Sequence, residues 1–584
     1  MMKRNLHVSS RSLALAGVFS LLCGANTGCA GPGGVAATRS QPLVQHSANF
    51  VECGNGVVVS VSAAASDTGL AILEQGGNAV DAAVATALAL TVAYPLSSGL
   101  GGGGFMTVHP AVGDGDPVVF DYRERSPAAA WPTMYTKEES QHTRRAVAVP
   151  GTVRGLALAH RRFGTLPWAQ LCAPAVALAR DGCTVDAYVA KALNEILADA
   201  REFAELQRVF GKPGGGAWVA GDRLVQPDLA RTLRLLAELG PDAFYEGPIA
   251  AAITAEMQRG GGLITARDLA SYAAIAREPL KGRYLGLYDV YVPPPPSGGG
   301  VVLLEEIHML SGFDLKADGR WAARTMHRMA EAMRRANLDR ARYMGDPAFA
   351  PMPPHLISEA HGKELAATID DTHATRSGAL APDLTLTSDG EDTTHFSVID
   401  RRGMAVANTY TLERLWGSRI VVQGMGFLLN NDMRAFNLFP GTTDHEGNIG
   451  TAPNLIAPHK RPVSSMTPTI VAKDGRVVMV VGSPGSKGIP HTILMIMQNV
   501  FQFGMTLQDA VAAPRMSHQW LPDQITFEAP ELYPETMAAL AAMGHTVVRS
   551  GPRPQGDVHV ILVREPNHYL GVADRRHSGK ASGY

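Results

Sequence analysis

Two-thirds of the way along the chain, Phe396, Val398 and Asp400 alternate with Ser397 and Ile399 along an apolar strand, and Arg401-Arg402-Gly403 then offers a turn. Met404-Ala405-Val406-Ala407-Asn408-Thr409-Tyr410-Thr411 reads as the return strand, so the pattern predicts a β-hairpin. A three-residue loop with glycine last pairs Asp400 with Met404. Counting outward from that pair sets Thr393 directly opposite Thr411, within side-chain reach across the ladder.

The remaining pattern is largely helical. Val57 to Ser62 reads as a strand, and Asp67 to Tyr94 as alanine-rich helix interrupted at Gly76-Gly77. The apolar run Ala82 to Tyr94 has the length of a buried core helix rather than of a membrane span. A helical middle is predicted from about Val153 to Lys363, broken at Pro293-Pro294-Pro295-Pro296-Ser297-Gly298-Gly299-Gly300, a rigid loop entering the helix that carries Leu303, Leu304 and Ile307. Polar residues from about Asp370 to Asp392 suit an exposed linker. No internal repeat is visible.

Composition narrows the class. The 584 residues are 46% hydrophobic and 6% aromatic, enough for a large core built from Ala, Val, Leu and Gly, and the net charge of −2 gives no sign of a nucleic-acid partner. Lys3, Arg4 and Arg11 precede the apolar stretch Ser12 to Leu22, and Gly24, Ala25 and Gly28 follow it, the layout of a secretory signal. Residues 1–29 are therefore expected to direct export to a periplasmic or extracellular site. Thr27-Gly28-Cys29 offers a lipoprotein processing site and an anchor at Cys29, with Asn26 standing where an aliphatic residue is usual; a plain cut near Ala25 is the alternative. Cys53, Cys172 and Cys183 then remain, an odd count that argues against full pairing. Cys172 and Cys183 could bridge or stay as buried thiols. No CxxC pair and no HExxH occurs, so neither a metal nor a cofactor is expected. Gly99 to Phe105 lacks the Lys-Ser/Thr pair of a phosphate-binding loop, and no G-x-S-x-G elbow is present.

The chemistry that stands out belongs to Asp392-Thr393-Thr394-His395-Phe396-Ser397. A break before Thr393 would give that residue a free α-amino group beside its own hydroxyl, placing a nucleophile and its general base on one residue. Such an amine has an ordinary pKa of about 8, suited to base work near neutrality.

Several segments in order resemble the γ-glutamyltranspeptidase family: Gly76-Gly77-Asn78-Ala79-Val80-Asp81-Ala82-Ala83-Val84, the Asp392 to Asp400 stretch, Asn430-Asn431-Asp432-Met433, Lys460 to Thr469, Gly482-Ser483-Pro484-Gly485 and Asp574 to Tyr584. The resemblance implies an α/β fold, the αββα sandwich of N-terminal-nucleophile hydrolases, self-cleaved into large and small subunits. The expected division is a signal over 1–29, a polar lead-in over 30–50, a large subunit over 51–392 and a small subunit over 393–584. It implies a γ-glutamyl donor such as glutathione, with water or an amino acid or peptide as acceptor, and a pairing of the two fragments.

The same resemblance assigns roles by position. Thr393 is the nucleophile and Asp392/Thr393 the cleavage site, with Thr411 as the second threonine. Backbone N–H groups of Gly485 and Ser486 form an oxyanion hole, with Ser486 standing where relatives carry a second glycine. Arg123 binds the substrate α-carboxylate in bidentate fashion, joined by the hydroxyls of Ser464 and Ser465. At the α-amino end the chain departs from the pattern: Glu413 replaces an Asn, Asp432 stands for an acid or Gln, and Ala435 replaces an Asp. Either Glu413 and Asp432 take over the missing acid, or the pocket suits an acyl group without an α-amine, as in the related cephalosporin and glutaryl acylases. Two buried carboxylates without a cation would be costly, which favours a substrate that brings one. Pro440 to Asn448 occupies the place of a lid and contains no aromatic, which implies a more open pocket.

Overall fold

The computed structural model describes residues 45–381, 387–388, 393–443, 447–448, 450–551 and 554–584. The leader with Cys23 and Cys29, the residue Asp392 and the centre of the expected lid lie outside them.

Fifteen strands make two stacked sheets: β1 Gln45–Ser47, β2 Phe50–Cys53, β3 Val57–Ser60, β4 Gly103–His109, β5 Val118–Tyr122, β6 Ile275–Arg277, β7 Leu280–Tyr284, β8 Tyr288–Val292, β9 Thr394–Ile399, β10 Ala405–Thr411, β11 Thr469–Lys473, β12 Arg476–Gly482, β13 His559–Glu565, β14 His568–Ala573 and β15 Lys580–Gly583. One sheet has the order β15-β3-β9-β10-β4-β5-β6, the other β1-β2-β14-β13-β12-β11-β8-β7. Val57, Val59, Ile399, Ala405 and Ala407 of the first face Ile470, Val480 and Ile561 of the second in a dry layer. Because both faces of each sheet are covered, the β9 residues are all buried, the polar Thr394, His395 and Ser397 included.

Helices cover the outer faces. Against the first sheet lie α1 Ala63–Glu74, α2 Ala79–Ala93, α3 Thr152–Phe163 and α4 Trp168–Asp181. Against the second lie α5 Gly298–Leu310, α6 Ala323–Tyr343, α7 Glu359–Ala366 and α8 Ile489–Met497. The result is the expected four-layer αββα arrangement. Gly76, at φ +91°, ends α1, and Asn78 restarts the chain by accepting from the Val80 and Asp81 amides while Asp81 accepts from Asn78 N–H at 3.1 Å. None of the described helices is long and apolar enough to cross a membrane.

Three sequence expectations change, and one open alternative is decided. The helical middle contains β6 to β8, whose alternation is short enough to be hidden between long helices. Residues at the end of the lead-in form the edge strand β1, with His46 opposite Val51. Residues 370–381 are docked rather than loose: Ser377 is buried, Arg328 pairs with Asp371 at 2.6 Å, and Thr375 N–H reaches Glu331 at 3.0 Å. Cys172 and Cys183 are free buried thiols, as is Cys53.

Candidate active site

The hairpin has the register its pattern predicts. Partners run from Thr394–Tyr410 through Phe396–Asn408 to Ile399–Ala405. Asp400 N–H donates to the Met404 carbonyl at 3.0 Å, and Gly403, at φ +84°, takes the left-handed position that closes the loop. The ladder ends at Thr394–Tyr410, with Thr393 the residue just before it; continued one step, the same register would bring Thr393 against Thr411, and directly opposed residues project to the same face. Thr393 is half-buried and Thr411 buried. On the other face, Ser97 and Thr394 share a hydroxyl–hydroxyl bond of 2.8 Å that fixes the head of β9.

Glycines allow the close approach around this edge. A Cβ on Gly102 would collide with the Thr411 carbonyl oxygen, and one on Gly101 with that of Leu428. The Gly99 to Phe105 run therefore serves close chain packing beside Thr411.

The second sheet delivers Gly485 to the same edge. The His395 ring lies over Gly482, the last residue of β12, where any Cβ would strike it. His395 bonds Thr409 Oγ1 at 2.8 Å and Ser397 Oγ at 3.1 Å. Burial, with His559 adding to it, holds its pKa well below the usual imidazole range, so it is a neutral strut between the sheets. Thr393 lies two residues from His395, and Gly485 three from Gly482. Gly485 has φ +130° and Ser486 φ +58°, a turn that opens the short helical segment Ser486–Gly488 ahead of α8. Amides at the start of a helical turn point out along its axis and suit a developing anion.

The third part of the site centres on Arg123, which follows β5 and is only 1% exposed. Its Nη1 meets Asp432 Oδ1 at 2.7 Å and Glu124 Oε2 at 2.9 Å, and its Nη2 lies 3.6 Å from Glu413 Oε2. Nε and Nη2 donate to the carbonyls of Pro462 and Val463 at 3.3 and 3.4 Å, next to Ser464 and Ser465. Burial drives the Asp432 carboxyl well above the usual carboxylate range against the pull of Arg123, and burial moves Glu124 the same way. The charge on Glu124 adds to the upward shift of Asp432.

This arrangement corrects one expectation. The protein itself supplies the cation that Glu413 and Asp432 meet, so their burial does not by itself require a cationic substrate. Ala435 sits half-buried at the end of the turn Asp432–Ala435 and leaves its place without a carboxylate. Ser464 Oγ accepts from Met466 N–H at 3.0 Å. Ser465 Oγ is buried and has no hydrogen-bond partner among the described residues, which leaves it available to a ligand.

Thr411 joins the two halves. Its hydroxyl accepts from Glu413 N–H at 2.8 Å, and Glu413 leads to Arg123. Glu413 holds φ +81°, an uncommon conformation for a side chain of its size, in a loop where Trp416 and Arg419 are also left-handed. Asn431 secures that loop: its Oδ1 accepts from Arg414 N–H and its own N–H donates to Leu412 O, both at 3.1 Å. Asn430 bonds the Gly101 and Ala148 carbonyls at 2.7 and 2.9 Å. Glu124, Asn430, Asn431 and Ser97 are the contributors that sequence reasoning left without a role. The adjacent Asn pair outside any helical or strand pattern was the available signal for two of them, while nothing in the sequence marks Glu124 as fully buried.

Comparison with known proteins places this geometry among relatives. The family model described as gamma-glutamyltranspeptidase matches residues 65–584. A glutathione hydrolase proenzyme of Escherichia coli (strain K12) is 39% identical over 534 residues, covering 90% of this chain and 91% of that one. An acylase ACY 1 proenzyme of Pseudomonas sp. (strain SE83) is 38% identical over 541 residues, covering 90% and 92%. The crystal structure of cephalosporin acylase from Bacillus halodurans superimposes with a TM-score of 0.81 at 27% identity, covering 94% of this chain and 99% of that one.

Proposed function

This chain belongs to the γ-glutamyltranspeptidase family, and on that premise we propose that it is made as one precursor, cuts itself between Asp392 and Thr393, and then uses Thr393 as its nucleophile. It is an enzyme of the glutathione hydrolase type, acting on γ-glutamyl amides. The observation that supports the nucleophile assignment is the ladder register, which ends at Thr394–Tyr410 at the head of a buried strand, so that one further step would pair Thr393 with Thr411.

In self-cleavage, Thr393 Oγ attacks the Asp392 carbonyl carbon, the C–N bond breaks, and the residue is left with an ester and a free amine. Water hydrolyses the ester. In turnover, the α-amino group takes the hydroxyl proton as Oγ attacks the γ-amide carbon, and the tetrahedral oxyanion rests on the Gly485 and Ser486 amides. The amine returns the proton to the departing nitrogen, and an acyl-enzyme remains. Water or an acceptor amine, activated by the same α-amino group, then releases the glutamyl group. Thr411 orients the Thr393 hydroxyl, Arg123 with Ser464 and Ser465 receives the substrate α-carboxylate, and Glu413 with Asp432 receives the α-ammonium. The excess of carboxylates over guanidinium around Arg123 supports the last assignment. An amino acid or peptide as acceptor, and export under the direction of residues 1–29 with anchoring at Cys29, belong to the same proposal.

An acylase-like specificity is the second reading, favoured by Ala435 and by the engagement of Arg123 Nη1 with Asp432. Initial rates on γ-glutamyl-4-nitroanilide and glutaryl-4-nitroanilide, which lacks only the α-amino group, separate the two. A γ-glutamyl preference of about ten-fold or more in kcat/KM is expected from one charged hydrogen bond. Equal rates, or a glutaryl preference, would replace the first reading with the second.

A further inference from the structure

On the far side of the second sheet, α5, α6 and α7 bring Glu305, Asp339 and His361 together, with one donor atom from each lying within 4.8 Å of the others. Glu305 is fully buried, and both its carboxylate oxygens lack a hydrogen-bond partner among the described residues. No salt bridge reaches it there either, whereas its neighbour Glu306 meets His491 Nδ1 at 2.6 Å. Asp339 Oδ2 lies 3.0 Å from His361 Nε2. The charged groups that act on Glu305 are acidic, Asp339 and Glu306. A buried carboxylate faced by further acids and served by no donor is an expensive arrangement unless a proton or a cation completes it.

We propose that Glu305, Asp339 and His361 bind one divalent transition-metal ion, with zinc as the best fit to two carboxylates and an imidazole. A tetrahedral zinc ion holds its O and N ligands at about 2.0–2.2 Å and so separates them by roughly 3.5 Å. The cluster needs only a small contraction to reach that spacing, and Asp339 Oδ2 with His361 Nε2 is already closer. The Asp339 and His361 side chains are 13% and 14% exposed, which gives the ion an entry path and a solvent molecule as fourth ligand.

The ion's role is to clamp three helices. The N-terminus of α5 is built into the substrate pocket: Gly298 N–H donates to Ser464 O at 2.8 Å, and Ser464 N–H to Pro296 O at 2.9 Å. A Cβ on Gly299 would collide with the Ser465 carbonyl oxygen. Fixing Glu305 two turns further along the same helix therefore steadies the serine loop. The site lies outside the amide chemistry and does not depend on the reading of that chemistry.

The test uses the processed full-length protein, purified without a metal-affinity tag. Elemental analysis is expected to find about one equivalent of zinc per chain. Glu305→Gln, which keeps the shape of the side chain, and His361→Ala should each lose it. Dialysis against dipicolinate should lower the Tm of the wild type by several degrees, with recovery on adding zinc, and leave the Tm of Glu305→Gln unmoved. No bound metal together with no response of Tm to added zinc or manganese would overturn the proposal. Metal that persists undiminished in both variants would do the same, because it would belong elsewhere.

Discussion

Arg123 Nη1 and Asp432 Oδ1 lie 2.7 Å apart, with Glu124 sharing the same Nη1 and Glu413 lying 3.6 Å from Nη2. The positive charge assigned to a substrate carboxylate is thus already shared among three acids of the protein. Any donor that enters must fit this balance, which makes the acids the main determinants of what is accepted.

Glu413→Gln tests that balance. Removing one carboxylate from the α-ammonium position should raise KM for γ-glutamyl-4-nitroanilide by about 10- to 100-fold, the value of one charged hydrogen bond. KM for the glutaryl analogue should stay level or fall. Steady-state kinetics on both donors check this, and a parallel rise in both would remove Glu413 from substrate recognition.

Thr393→Ala should run as one uncut chain in denaturing mass spectrometry and lose all turnover. The wild type should give two fragments meeting at Asp392/Thr393, and Thr393→Ser should restore cleavage at a reduced rate. An alanine variant that still cuts at this bond would disqualify Thr393 as the autocatalytic group.

Ser486 supplies an amide from a left-handed backbone position, φ +58°, that costs a residue with a Cβ about 1 kcal/mol. Ser486→Gly relieves that strain and keeps the N–H. Stability should rise by about 0.5 kcal/mol after the added freedom of the unfolded chain is counted, and kcat should stay within about two-fold. A large loss of kcat would show that the serine hydroxyl, and not only its amide, takes part.

Acid stability should depend on Glu331. Burial works to raise its pKa, but Arg334, a bond from Thr375 and Arg335 together hold it down to about 2, from an ordinary 4.5. A carboxylate with a depressed folded pKa gives stability that is complete above pH 4.5 and lost as pH falls towards 2. The linked amount is about 3 kcal/mol. Chemical unfolding of the wild type between pH 5 and pH 2 should therefore show a steeper decline than Glu331→Gln, even though the variant is weaker at pH 7. Parallel declines would assign the acid sensitivity to other carboxylates.

The residues that carried the most information in the sequence act locally. The hairpin register, from Thr394–Tyr410 to Ile399–Ala405, follows from a period-two pattern and a loop closed by a left-handed glycine. The end of α1 and start of α2 follow from Gly76 and the Asn78–Asp81 capping box, interactions spanning a few residues. By contrast, β6 to β8 were hidden because three short strands carry too few alternations to stand out among long helices. Residues 370–381 read as linker because polarity alone cannot distinguish a solvated segment from one held by Arg328, Arg335 and Glu331.

The sequence by itself therefore determined the hairpin that carries Thr393 and its register, since periodicity and turn chemistry are properties of adjacent residues, while the layer architecture was legible only through the family resemblance. Only the tertiary structure decided the charge state and partners of the pocket. Arg123, Glu413, Asp432 and the Pro462–Val463 carbonyls come from separate segments, and their electrostatics exist only once burial removes water and the sheets bring them within bonding distance. The orphaned Glu305 carboxylate belongs to the same class, since a charge becomes unpartnered only when folding closes around it.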